Sequence, residues 1–150
     1  MAIEYTLLTS CEQELPSDLL LDDVDLNQIE NGCFLRLEGI AIAKGIESEL
    51  GRKLIEEVYG ILVRQIRQII VFRLDKFELY DAGLDLMVKF VISFVLNSKS
   101  DFVFLSNGER ALMLKKNGQL AINENEVFWK KRMEELPDGV CYTTESLPSL

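Results

Sequence analysis

The chain has 150 residues, 48% of them hydrophobic, which fits one domain with an ordinary buried core and leaves too little for two. Its formal net charge of −9 repels phosphate backbones, so nucleic acid is not expected as a partner even though Arg64, Arg67 and Arg73 lie close in sequence. There is no histidine, and Cys11, Cys33 and Cys141 form no Cys-x-x-Cys pair; zinc-type ligation and any Ser/His/Asp or Cys/His mechanism built within this chain are therefore excluded.

Ile3 to Leu8 reads as a strand, and Met1-Ala2-Ile3-Glu4-Tyr5 lacks the basic and apolar regions of an export signal, so the expected compartment is the cytoplasm. Residues 1 to 35 hold eight acids and no lysine or arginine, whereas residues 36 to 150 hold seventeen acids against sixteen bases. This acidic part is either a solvated face or a docking surface for a basic protein. Glu12 to Ser17, with Pro16, reads as a loop, and Ser17 to Leu26 as either a short Ser-capped helix or an irregular extended segment, because its apolar positions fit neither period. Asn31-Gly32 signals a turn, after which Cys33 to Ile40 alternates as a strand that runs on toward Ala43.

The period then changes. Leu50, Leu54, Val58, Ile61 and Leu62 recur at helical spacing and predict a long amphipathic helix ending near Gln65 to Gln68. Ile69–Leu74 is a strand apolar for most of its length, as a covered central strand should be. Asp75-Lys76-Phe77-Glu78 forms a polar corner, and Tyr80-Asp81-Ala82-Gly83 opens a very apolar helix whose segment Leu84–Leu96 is too short to span a bilayer, so no membrane insertion is expected. Asp101 to Leu105 is the next strand, closed by Ser106-Asn107-Gly108. Glu109 to Lys116 reads as a short helix stopped by Asn117-Gly118, and Leu120 to Ile122 as a short strand. Asn123 or Asn125 caps a last helix over Glu124 to Leu136, where Trp129 serves as a core anchor, and Pro137-Asp138-Gly139 ends it. Val140 to Thr143 adds a strand, and Thr144 to Leu150 reads as a tail. Residues 1–32 thus form an acidic strand and loop of the same domain, 33–136 the core, and 137–150 a C-terminal strand or tail. Helices alternating with apolar strands imply crossovers in a partly parallel sheet, an α/β fold with α+β as the alternative.

Four segments in this order carry a resemblance: Leu35-Arg36-Leu37-Glu38-Gly39, Ile70-Val71-Phe72-Arg73-Leu74, Asp81-Ala82-Gly83-Leu84, and Asn107-Gly108-Glu109 through Asn117-Gly118. Together they resemble the STAS domain of anti-sigma factor antagonists and sulfate-transporter tails, over roughly residues 33 to 136. The resemblance implies a mixed, mostly parallel sheet of four to six strands with helices packed largely on one face, and a regulatory or scaffolding role in protein–protein interaction. Signalling members of that family carry a phosphorylatable serine before the glycine of the corner. Ala82 stands there in this chain, so no such switch is expected.

The corner is intelligible from its own residues. Asp81 can accept hydrogen bonds from the free N–H groups that start a helix, and Gly83 lets another backbone approach closely. Asp81 and Gly83 have either that structural role alone or a binding role as well. At 100° per residue Leu84, Met87, Val88, Val91, Phe94 and Val95 share one helix face that covers the sheet, leaving Leu86, Ile92 and Leu96 beside the polar stripe of Asp85, Lys89 and Ser93. Either the N-terminal segment or a second protein chain covers those three. The expectation is a non-enzymatic module, without catalytic residues, metal or cofactor, that binds a protein partner through Asp81, Ala82, Gly83, Leu84 and Leu86. The alternative is a structural subunit that self-associates, as a homodimer in the simplest case, through Leu86, Ile92 and Leu96.

Overall fold

Alternation along the strands sorts the apolar side chains onto the two faces of one sheet. The computed structural model describes residues 3–10, 34–44, 49–60 and 66–150. The readings made for Cys11, Ser17 to Leu26, Asn31 to Cys33, Ile61, Leu62 and Arg64 lie outside these. In chain order the described elements are β1 (Ile3–Thr9), β2 (Phe34–Leu37), β3 (Ile40–Lys44), α1 (Glu49–Tyr59), β4 (Gln68–Leu74), α2 (Tyr80–Asn97), β5 (Phe102–Ser106), β6 (Arg110–Lys116), β7 (Gln119–Asn123), α3 (Val127–Arg132), which tightens into a 3₁₀ turn (Met133–Glu135), and β8 (Thr143–Glu145).

The strands form an eight-stranded sheet in the order β2-β3-β4-β1-β5-β6-β7-β8. Every neighbouring pair is antiparallel except β7 and β8. The fold is therefore α+β with a mostly antiparallel mixed sheet, which corrects the expectation of four to six mostly parallel strands. The physical reason is the place of β1. The expected crossover exists: β4 and β5 run the same way on either side of α2, but each pairs antiparallel with β1, which lies between them. A strand from the start of the chain thus splits the parallel pair.

Three local corrections share one cause, the tight hairpin turn. The strand expected over residues 33 to 43 is a hairpin, with Leu37 opposite Ile40 and Gly39 at φ 78° in the turn. Asn107 and Gly108, at φ 52° and 72°, turn β5 into β6, with the Glu109 N–H donating to the Ser106 carbonyl at 3.1 Å. Asn117 and Gly118, at φ 54° and 78°, turn β6 into β7, with Lys116 opposite Gln119. Positive φ at both central residues is what a type I′ turn requires, and Asn-Gly provides it in these last two hairpins. The segment expected to be a helix over 109–116 is therefore strand β6. A bulge obscures its alternation: Phe104 faces Met113 while Leu105 faces Ala111, so Leu112 is skipped and joins Met113 on one face.

On the first face, α2 and α3 pack over Tyr5, Leu7, Ile42, Phe72, Phe104 and Ile122. Most of the aromatic rings meet edge to face or tilted, with Phe72 5.3 Å from Phe90 and Trp129 5.0 Å from Phe104, while Tyr5 stacks on Phe104 at 5.8 Å, geometries that suit their quadrupoles. The second face gathers Leu8, Ile69, Val103 and Leu105 with Ile55 and Tyr59 of α1 and Leu147 of the C-terminus. Among the described residues two helices thus lie on one face and one on the other. Helix α1 stops at Gly60, which takes φ 70° and donates its N–H to Glu56 O at 2.9 Å, a left-handed stop that glycine makes without strain.

The residues expected to be a tail form a strap. β8 pairs parallel with β7, Leu147 is buried, the Tyr59 hydroxyl donates to Pro148 O at 2.8 Å, and the Leu150 N–H donates to Glu109 O at 2.9 Å. Neither asparagine caps α3. The Asn123 side chain instead donates to Ala111 O and accepts the Asn125 N–H, holding the approach to the helix from below.

Candidate functional site

Strand β4 leaves the sheet at Leu74, and the five residues before α2 make a turn held at both ends. The Asp75 N–H donates to Gly39 O at 2.9 Å, the Asp75 carboxylate accepts the Phe77 N–H at 3.2 Å, and the Tyr80 N–H donates to Phe77 O at 3.2 Å. Where α2 begins, Gly83 lies directly against Gly39 of the β2–β3 turn, and a Cβ on either would collide with backbone atoms. Two glycines let two backbones touch, so the hairpin turn and the helix start are locked together. The first residue of α2 is tied to the sheet as well, because Tyr80 packs half-buried against the core cluster that holds Tyr5. Burial, reinforced by Tyr80, pushes the Tyr5 hydroxyl up to about 12; Arg110 works against the shift and Glu126 with it.

This turn presents apolar side chains to solvent. Phe77 is 82% exposed and Leu79 is 40% exposed. Beside them runs an open groove of about 540 Å³ whose walls include Arg36, Leu37, Ile40, Leu74, Phe77 and Leu79. Arg73, also on its wall, is engaged by Glu4 across the β4–β1 pair, its Nε and an outer guanidinium nitrogen each 3.0 Å from one carboxylate oxygen. An aromatic ring fixed outward on a stiff turn next to a partly apolar groove is an arrangement suited to contact.

Of the residues singled out from sequence, Asp81 is exposed in the first turn of α2 and Ala82 is half-buried. Gly83 and Leu84 are buried in the chain's own packing, and Leu86 rests half-buried on the core. Asp81 does not cap the helix. The N-cap is Leu79, without a side-chain bond, so Asp81 acts only through its charge near the positive end of the helix dipole. The six α2 residues expected to cover the sheet are all buried, and Phe90 joins them. Of the three expected beside the stripe, Ile92 packs half-buried like Leu86, and Leu96 is 48% exposed. Phe77 and Leu79 were not singled out, although a phenylalanine between Lys76 and Glu78 in a polar corner is itself a signal of an outward-facing apolar group.

Among the described residues no three carboxylate or thiol groups come together as a metal site, and no helix is long and apolar enough to cross a membrane. A family model described as SitI3-like matches residues 36–133. That stretch runs from Arg36 in β2 to Met133, the first residue of the 3₁₀ turn after α3, and takes in the whole corner and its groove. No curated protein and no solved structure matches the chain.

Proposed function

The chain belongs to the SitI3-like family, and we propose that it is a non-enzymatic, cytoplasmic protein-binding module of regulatory or scaffolding type. It engages a protein partner through the β4–α2 corner, with Phe77 and Leu79 as anchors and Asp81 and Ala82 at the margin. The observation that carries this reading is Phe77, 82% exposed on a turn that the chain's own hydrogen bonds hold in place. Covering such a side chain contributes roughly 1.5–3 kcal/mol. A turn already ordered in the free protein loses little conformational freedom on binding, so more of that contribution appears as affinity. Ala82 offers no hydroxyl, so phosphorylation at that position does not regulate the contact.

Self-association through α2 has less support. Leu86 and Ile92 are packed against the chain's own core, which leaves Leu96 as the apolar side chain on offer. Light scattering that shows one monomer at all concentrations would remove it. The leading reading is tested by comparing the tagged parent chain with a Phe77→Ser, Leu79→Ser variant and a Lys116→Ser control in extracts of the source cell. A discrete protein retained by the parent and the control, and lost with the double variant while its unfolding midpoint is unchanged, is the expected result. Retention by the double variant would exclude the corner.

A further inference from the structure

Taking the corner as a docking surface, as proposed above, we infer that its groove receives an acidic protein segment, in which an aromatic or aliphatic side chain meets Phe77 and a neighbouring aspartate or glutamate meets Arg36 and Lys76. Among the described residues the charged groups lining the groove are Arg36, Arg73, Lys76 and Asp75, three cations against one acid. Glu38 stands between Leu37 and Gly39 of the wall, and Glu78 between Phe77 and Leu79, yet neither glutamate lines it. The cations of this region are on the wall, and these two acids are off it.

The three cations are not equally available. Strand register puts Arg36, Ala41, Arg73 and Glu4 in one row across β2, β3, β4 and β1, so both arginines stand on the same face of the sheet with only a methyl group between them. Arg73 is held by Glu4 at 3.0 Å. Arg36 and Lys76 are exposed and make no ion pair among the described residues. Asp75 opposes them, although its carboxylate also accepts the Phe77 N–H at 3.2 Å. With Arg73 and Glu4 offsetting each other, two cations face one carboxylate, and the groove is positive.

The acidity of the whole chain does not reverse that sign. Eight acids and no base lie in residues 1 to 35, whereas residues 36 to 150 hold seventeen acids against sixteen bases, so the part that carries the groove is close to neutral. Charges more than about 10 Å away are largely screened at physiological salt. The lining residues therefore set the potential that an arriving side chain meets. Because the cations share the groove with the exposed Phe77 and Leu79, the occupant that fits offers negative charge and apolar surface together, which a peptide does and a simple carboxylate does not.

The test is to pan a random peptide library on the immobilised full chain and to measure a selected peptide, labelled with a fluorophore, against variants by polarisation. Selected sequences should place aspartate or glutamate next to an aromatic or aliphatic residue. Arg36→Gln and Lys76→Gln should each weaken the peptide by roughly two- to fivefold, and Phe77→Ala by about tenfold or more, with unchanged unfolding midpoints. Lys130→Gln removes the same charge from α3, which lies by β7 and far from β2, β3 and β4 in the strand order, and should leave binding unchanged. Equal weakening by all three cation variants, or basic or uncharged selections that still depend on Phe77, would overturn the acidic occupant and leave the corner standing as a docking site. Selections indifferent to Phe77, or none at all, would overturn both.

Discussion

Gly83 and Phe77 stand six residues apart and do opposite work. Gly83 has no side chain because Gly39 occupies the space, so Gly83→Ala drives a methyl into backbone that cannot move aside. That change should lower stability by about 2 kcal/mol or more in urea unfolding. Phe77 touches little of the folded chain, and replacing it should leave stability within about 0.5 kcal/mol. The two are separable by this one measurement, which keeps a loss of binding from being mistaken for a loss of fold. Proton binding gives a second check. Burial pushes both the Tyr5 and the Tyr59 hydroxyl up to about 12 from an ordinary 10. The folded protein therefore holds these protons after the unfolded chain has lost them, and stability that is fully present below pH 10 should fall as the pH rises toward 12. Tyr59→Phe should flatten that decline in unfolding experiments carried out across this alkaline range.

At the level of elements, helix α2 could be read from the sequence because its 3.6-residue pattern is a local fact. The same holds for the start of α1 and for β4. β6 could not, for a definable reason: the bulge at Leu112 breaks the two-residue alternation, and Ala111-Leu112-Met113-Leu114 then resembles a helical turn as much as a strand. The Asn-Gly pairs on either side were the stronger signal. Read as hairpin turns in place of a strand end and a helix stop, they would have given β5, β6 and β7 in succession. The C-terminal strap was equally hidden, since Leu147 and Leu150 alternate with serine and proline over too short a run to mark a strand, and their pocket is assembled from distant strands. Leu147→Ala should cost roughly 2–3 kcal/mol, and Tyr59→Phe about 1 kcal/mol through the lost bond to Pro148. In a chain truncated after Tyr142 the Tyr59→Phe change should have almost no further effect, because its acceptor is gone. A full additional loss would show that Tyr59 does not hold the strap.

For the molecule as a whole, sequence order specified a crossover but not what lies between its strands. β1 belongs to the first ten residues and becomes a central strand, paired with β4 and β5 over nearly their whole lengths, and no local pattern announces that insertion. A turn does join β4 to α2 where the polar corner was expected. Its division into a buried and an exposed part was not legible, because Leu84 and Phe77 look equally apolar in sequence and only the hairpin turn lying over the helix start decides which of them meets water. What results is an exposed apolar pair, Phe77 and Leu79, on a hydrogen-bonded turn beside an open groove. A photoreactive benzoyl-phenylalanine placed at position 77 of the full chain, expressed in its own cell and irradiated, tests this account most directly. The expected outcome is a discrete crosslink to another protein that does not form from the same group at position 116. Absence of any crosslink from position 77, or the same products from both positions, would contradict it.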